Sequence, residues 1–144
     1  GYRSGTLSVH NVVGFGTACT IAKKNQNMDN KHINKMKELL LNGLRELFPN
    51  LIVNGDLKER LEGNLNITFP KYSAEKIMMK LNEIACSTGS ACTSSIPKPS
   101  HVLLALQLKK EQINNTIRFG IGKFNTIEEI DYVISLFKKK LGDT

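Results

Sequence analysis

The stretch "ACSTGSACTSS", residues 85–95, holds Cys86 and Cys92 among glycine, serine, threonine and alanine. Small and hydroxylated residues, followed here by Pro97 and Pro99, are typical of an exposed loop. A cysteine in such a loop is free to react, so Cys92 is a candidate nucleophile. A reactive thiol also needs a lowered pKa, and an idle surface thiol fits the same residues equally well.

A second candidate is Arg118, which lies within the alternating apolar residues of "NTIRFGIG", namely Ile117, Phe119 and Ile121. A guanidinium on a rigid strand can bind a carboxylate through two parallel hydrogen bonds. The same spacing also fits an arginine that only faces solvent. The residues therefore indicate a possible carboxylate site without deciding between these two interpretations.

A third candidate is the amino-terminal "RSGT", which contains Thr6 and precedes a predicted helix. It offers a cation, a glycine and two hydroxyls at a helix start, a pattern that suits an anion such as phosphate. Thr6 or Ser8 can equally be an ordinary helix N-cap.

The other thiols and the histidines fit structural positions better. Cys86 alternates with Ile84 in a predicted strand, and Cys19 lies on an apolar helix stripe, so we expect both to pack inward. His101 is near enough in sequence to Cys92 to be a partner of its thiolate, although a surface position is the alternative. Three cysteines without zinc-type spacing predict neither a metal site nor a disulfide framework, and favour a reducing compartment.

Helices are predicted first along the chain. Apolar residues at spacings of three and four predict one helix over residues 8–24 and another over 28–48. The polar segment between them, "KKNQNMDNK", fits a connection or a frayed helix end. The first helix is expected to bury Val12, Phe15, Cys19 and Ala22.

The rest of the chain mixes strands and helices. Strands are predicted in "LIVNGD", "NLNITF", "EIACST" and "NTIRFGIG", and further helices over residues 73–82, 99–106 and 126–141. Because this order lacks a regular βαβ alternation, we expect an α+β fold with a small, mostly antiparallel sheet and helices packed on one face.

Length and charge narrow the class of protein. A chain of 144 residues fits a single domain, and no apolar run is long enough to span a membrane. The net charge of +7 comes mostly from dispersed lysines, and tryptophan is absent. Nucleic-acid surfaces usually combine arginine with stacking aromatics, so solvated helix faces explain this charge better. We therefore expect neither a membrane protein nor a nucleic-acid-binding protein.

Three separated segments resemble one known family. "RSGT" followed by "HNVVGFGTACTIAKK", then "STGSACTS" with "PSHVLLAL", then "TIRFGIGKFNTIEEIDYVI" are similar in order and spacing to the carboxy-terminal part of cysteine desulfurases of the IscS/NifS type. Such enzymes are fold-type I homodimers that use pyridoxal phosphate, take sulfur from L-cysteine and release L-alanine. The resemblance covers essentially the whole chain.

The resemblance implies roles for the three candidates. Cys92 is implied to be the cysteine that becomes a persulfide, and Arg118 the ligand of the substrate's α-carboxylate. Thr6 is implied to contact the cofactor phosphate across the dimer interface. The sulfur then serves iron–sulfur cluster assembly and tRNA thiolation, with a mitochondrial location if the source is eukaryotic and a cytoplasmic one otherwise.

Other family features are not found in this sequence. The lysine that holds the cofactor follows a histidine in this family, and no His-Lys pair occurs here. We therefore expect residues 1–144 to be the carboxy-terminal domain of a desulfurase, with residues 1–27 leading into it and the cofactor-binding large domain absent. Alone it should be inactive, and we expect the tail that docks the iron–sulfur scaffold protein to be absent too. The alternative is a non-catalytic dimerisation or interaction domain with an exposed or redox-sensing thiol.

Overall fold

A computed structural model describes residues 4–88 and 99–142. Its first element is α1, Val9–Leu47, a single helix of 39 residues. The predicted division into two helices is therefore wrong. The segment "KKNQNMDNK" contains neither proline nor glycine, and each asparagine weakens a helix by only about 0.7 kcal/mol relative to alanine. A long helix passes through such a segment without a break.

The amino-terminal half of α1 is exposed, which contradicts the predicted burial of its apolar stripe. Val12 and Phe15 are 62% and 74% exposed, and Cys19 and Ala22 also face solvent. The buried residues of α1 all lie between Met36 and Leu44. The spacing of the stripe correctly predicts a helix. The predicted burial is wrong because no other described part of the chain packs against the stripe.

The sheet has three antiparallel strands in the order β1-β2-β3: β1 Ile52–Val53, β2 Asn64–Thr68 and β3 Thr116–Gly120. In β2 and β3 the predicted alternation holds. Leu65 and Phe119 are directly opposite each other and belong to the core. The intervening residues, including Arg118, point to the other face.

Four shorter helices complete the described fold: α2 Ala74–Lys80, α3 His101–Ala105, α4 Lys110–Asn114 and α5 Ile127–Leu141. Ser73 caps α2, and Thr126 and Glu129 form the predicted capping box of α5. The five-residue α4 was not predicted, because so short a helix shows no apolar period. None of the helices in residues 4–88 and 99–142 is long and apolar enough to cross a membrane.

The segment "EIACST" does not form the predicted strand. The backbone N–H of Ile84 donates to the carbonyl of Leu81, so the chain is still turning away from α2 at that point. Only Ser87 pairs with the sheet, through an isolated bridge to Arg118. The expected inward packing is nevertheless correct, since Ile84 and Cys86 are partly buried against the core.

The core lies between one face of the sheet, the carboxy-terminal half of α1, and α5. Phe137 of α5 is at its centre, with its ring 5.6 Å from that of Phe69 and 6.0 Å from that of Phe48. This is the α+β fold expected from the sequence, with a small antiparallel sheet covered by helices.

We expect Phe137→Ala to lower the free energy of unfolding by about 3–5 kcal/mol, because Phe137 is fully buried and its loss leaves a cavity. Phe124→Ala is the matched control, since Phe124 is 86% exposed and should cost less than about 0.5 kcal/mol. Urea unfolding of both variants measures the difference. Equal losses at the two positions would contradict this description of the core.

Candidate functional site

Arg118 lies in the middle of β3 with its side chain on the face opposite the core. It is exposed, and its guanidinium makes no ion pair or hydrogen bond to any described side chain. A cation held by a sheet but not neutralised by its neighbours is well suited to an incoming carboxylate.

The chain segment that leads to Cys92 is attached directly to Arg118. The N–H of Arg118 donates to the Ser87 carbonyl at 2.7 Å, and the N–H of Ser87 donates to the Arg118 carbonyl at 3.1 Å. Cys92 itself falls in residues 89–98, outside the described residues. In the sequence Cys92 follows Ser87 by five residues.

Asn66 is the residue of this face that the sequence analysis missed. It lies directly opposite Arg118 in the register of β2 and β3. The alternation in "NLNITF" already placed Asn66 on the polar side of its strand. Only the register, which the sequence does not reveal, shows that it neighbours Arg118.

The remaining thiols differ in exposure. Cys86 is half-buried, and burial raises the pKa of its thiol, which makes it a poor nucleophile at neutral pH. This agrees with its structural interpretation. Cys19 is exposed on α1, so its expected core position is wrong within the described chain, for the same reason as for the rest of the apolar stripe.

His101 begins α3 directly after the N-cap Ser100, and its side chain is exposed. It follows the undescribed residues 89–98 closely in the chain. Cys92 lies outside the described residues, so the role of His101 as a partner of the Cys92 thiolate stays a prediction.

Thr6 is exposed and lies just before α1, after Gly5, whose φ of 98° lets the chain turn into the helix. Ser8 is the N-cap residue of α1 but makes no side-chain capping bond, so the alternative interpretation of Ser8 as an ordinary cap is not supported. The amino-terminal end of this long helix carries the positive end of its dipole.

Thr6 and Arg118 are far apart within one chain. Asp29 of α1 pairs with Lys123 just beyond β3, and the rise of 1.5 Å per residue places Val9 about 30 Å from Asp29 along the axis. Strand β2 runs in the same direction as α1, since Gly63 approaches Ile33 while Phe69 contacts Phe48. Arg118, opposite Asn66, therefore lies still further from Thr6.

Two further features do not contribute to this site. A pocket of about 90 Å³ lies where the ends of α1 and α5 meet the residues after β2, and neither Arg118 nor Thr6 lines it. No group of three or more potential metal ligands occurs within residues 4–88 and 99–142. The polar face around Arg118 is thus the strongest candidate for chemistry in this part of the chain.

Comparison with known proteins gives three consistent results. The class-V aminotransferase family model matches residues 1–133. The chain is 45% identical over 141 residues to a probable mitochondrial cysteine desulfurase of Dictyostelium discoideum, covering 98% of this chain and 31% of that protein. It is 46% identical over 142 residues to the cysteine desulfurase IscS of Methylobacillus flagellatus, covering 99% and 35% respectively.

Solved structures show the same similarity. A NifS-like protein superposes with a TM-score of 0.80 at 28% identity, covering 96% of this chain and 35% of that one. The NifS-like protein of Rickettsia africae gives 0.79 at 27% identity, covering 95% and 36%. This chain thus spans about one third of the length of the relatives that it matches.

Proposed function

Because this chain belongs to the class-V aminotransferase family, we propose that it forms the carboxy-terminal domain of a cysteine desulfurase of the IscS/NifS type. The observation that carries the proposal is the bridge between Ser87 and Arg118. The bridge joins Ser87, which precedes Cys92 in the chain, to Arg118, a strand residue whose guanidinium has no partner among the described side chains. Removal of sulfur from an amino acid requires a sulfur acceptor close to a carboxylate ligand, and this bridge connects Arg118 with the segment that leads to Cys92.

Arg118 binds the α-carboxylate of L-cysteine in this proposal. Two N–H groups of the guanidinium donate to the two carboxylate oxygens, which fixes both the position and the orientation of the substrate. Since β3 is paired on one side with β2 and at Ser87 on the other, its backbone is held firmly. The sheet thereby defines where the substrate's sulfur can lie.

Cys92 accepts the sulfur. Its thiolate attacks the sulfur of the bound cysteine, a sulfur–sulfur bond forms, and the bond between that sulfur and the substrate's β-carbon breaks. The electron pair of the broken bond stays with the β-carbon, which takes up one proton, so the sulfur remains on Cys92 as a persulfide and the rest of the substrate leaves as L-alanine. Pyridoxal phosphate, when bound, supplies the electron sink that weakens the carbon–sulfur bond.

The chain's own residues suit only part of the cofactor site. Thr6 offers a hydroxyl ahead of a long helix whose positive end favours the phosphate. Because α1 carries Thr6 far from Arg118, we assign the two residues to different active sites of a homodimer. The Schiff-base lysine belongs to the large domain of the full-length enzyme.

The exposed half of α1 supports this domain assignment. Val12, Val13 and Phe15 are exposed apolar side chains close together on this helix, and such clusters often mark an interaction surface. Since the relatives are about three times as long, we infer that their additional domain covers this face. The persulfide sulfur is then passed to acceptors such as the iron–sulfur scaffold protein, in mitochondria of a eukaryotic source or in the cytoplasm otherwise.

A second candidate function rests on the same face. Exposed apolar surface on a helix also suits a non-catalytic dimerisation or interaction domain, in which Cys92 is an idle or redox-sensing thiol. The two candidates differ in whether the full-length protein releases alanine from cysteine.

We expect the 144-residue chain alone, mixed with pyridoxal phosphate and L-cysteine, to release no alanine, because it lacks the lysine-bearing domain. The full-length protein should release it readily under the same conditions. Quantifying alanine by chromatography tests both statements in one series. Release from the isolated chain would refute the domain assignment, and no release from the full-length protein would favour the interaction domain.

A further inference from the structure

A buried polar network lies under the face that carries Arg118. Asn54, only 4% exposed, donates through Nδ2 to Oδ1 of Asn66 at 2.8 Å and to Oγ1 of Thr68 at 2.9 Å. The Thr68 and Thr116 hydroxyls are 2.8 Å apart, and Thr116 donates to the backbone carbonyl of Gln112 at 2.6 Å. Asn54 is also held from outside by Arg60, whose guanidinium donates to the Asn54 carbonyl.

The directions of the short hydrogen bonds in this network are fixed from one end. The backbone carbonyl of Gln112 can only accept a hydrogen bond, so Thr116 must donate its single hydroxyl hydrogen to that carbonyl. The 2.8 Å contact between the hydroxyls then requires Thr68 to donate to Thr116, so the longer contact of 3.2 Å between the Thr68 hydroxyl and Oδ1 of Asn54 receives no hydrogen from Thr68. Thr68 must therefore accept from Asn54 at their closer contact, which identifies that atom of Asn54 as Nδ2.

The same reasoning sets the orientation of Asn66. The Nδ2 of Asn54 also faces the side chain of Asn66, and a donor there requires an acceptor opposite it. Asn66 thus turns Oδ1 toward Asn54 and directs its own Nδ2, with two N–H donors, away from the network. A carboxamide that is locked in this way presents hydrogen-bond donors and no acceptor to its open side.

Asn66 and Arg118 are close neighbours. The N–H and C=O of Arg118 bond to Ser87, on the side away from β2. The pair between Asn66 and Arg118 is therefore a non-hydrogen-bonded pair, in which the two Cβ atoms lie roughly 4.5–5.5 Å apart. Both side chains project from the same face of the sheet.

We propose that Asn66 is a second ligand of the substrate's α-carboxylate, with its Nδ2 donating beside the guanidinium of Arg118, and that Asn54 is the positioning residue that fixes its orientation. This inference rests on the proposed function, since it assigns Asn66 to the same substrate. It explains why a fully satisfied polar network is buried beneath an exposed arginine. An amide at this position adds hydrogen bonds without neutralising the cation.

The test uses the full-length enzyme with Asn66→Ala, Asn54→Asp and the matched control Asn64→Ala. Asn64 lies on the same strand and the same face, but opposite Gly120 rather than Arg118. The readouts are kcat and KM for L-cysteine, and calorimetric Kd values for L-alanine and for cysteamine, the analogue of cysteine without a carboxylate.

We expect Asn66→Ala to raise the KM for L-cysteine and the Kd for L-alanine roughly tenfold, the loss of one hydrogen bond to a charged group. Its kcat and its affinity for cysteamine should stay unchanged, and Asn64→Ala should change none of these values. Asn54→Asp replaces the donor with an acceptor, so Asn66 turns its Nδ2 inward and the variant should reproduce the effects of Asn66→Ala. Thermal unfolding identifies a variant that has lost its fold.

An unchanged Kd for L-alanine in Asn66→Ala would overturn the inference, and so would an equal loss of affinity for cysteamine, which shows a general structural effect. Arg118→Ala distinguishes a failure of the role proposed for Asn66 from a failure of the proposed carboxylate site as a whole. If that variant weakens L-alanine binding while Asn66→Ala does not, only the role of Asn66 fails. If neither variant weakens it, the proposed carboxylate site itself is wrong.

Discussion

Replacing Cys92 with alanine in the full-length enzyme should reduce the release of L-alanine from L-cysteine by roughly 10³-fold or more, the scale seen when a catalytic nucleophile is removed. The physical reason is that no other thiol near Arg118 can take the sulfur. Substrate binding should survive, because Cys92 does not hold the carboxylate. Steady-state alanine release and the Kd for L-alanine measure the two parts separately.

Cys86→Ala is the matched control, because Cys86 belongs to the same segment and lies next to Ser87. Its thiol is half-buried and its pKa is raised by that burial, so it stays protonated at neutral pH. We expect this variant to keep its activity. If Cys86→Ala were inactive and Cys92→Ala active, Cys86 would be the sulfur acceptor and the assignment of Cys92 would be wrong.

Arg118→Ala should lower kcat/KM for L-cysteine by roughly 10²- to 10³-fold, since each hydrogen bond to a charged partner contributes about 1.5–3 kcal/mol and the guanidinium offers two. Arg118→Lys keeps the charge but loses the paired geometry, so we expect an intermediate loss. Kinetics of the three proteins over a range of cysteine concentrations provide the measurement.

Arg45→Ala makes the same chemical change at an exposed position in the last turn of α1, which packs on the opposite face of the sheet from Arg118, and should leave kcat/KM unchanged. A lysine variant as active as the wild type would argue that only charge matters at position 118. An alanine variant with wild-type kinetics would remove Arg118 from the substrate site.

Local patterns were sufficient for much of the fold. The alternation in β2 and β3 and the capping box of α5 are decided by residues close in sequence, and both were predicted correctly. The continuous course of α1 over Val9–Leu47 was not predicted. Its polar middle resembles a connection, yet nothing in it stops a helix, and the apolar stripe around Phe15 faces solvent because burial depends on a partner that no local pattern reveals.

Local sequence likewise predicts only part of the candidate site. The exposed face of Arg118 could be predicted from alternation, and the resemblance supplied roles for Cys92 and Thr6. The link through Ser87 and the neighbour Asn66 could not be predicted, because both depend on register and on one isolated bridge. The orientation of Asn66 depends on a hydrogen-bond chain that ends at Gln112, far away in sequence.

The proposed desulfurase function depends on the transfer of sulfur from cysteine to Cys92. Its most direct test is mass spectrometry of the peptide containing Cys92 after a brief reaction of the full-length enzyme with L-cysteine. We expect this peptide to gain the mass of one sulfur atom, a reductant to remove that gain, and the Cys86 portion to be unmodified after fragmentation. An unmodified Cys92 alongside active alanine release would contradict it.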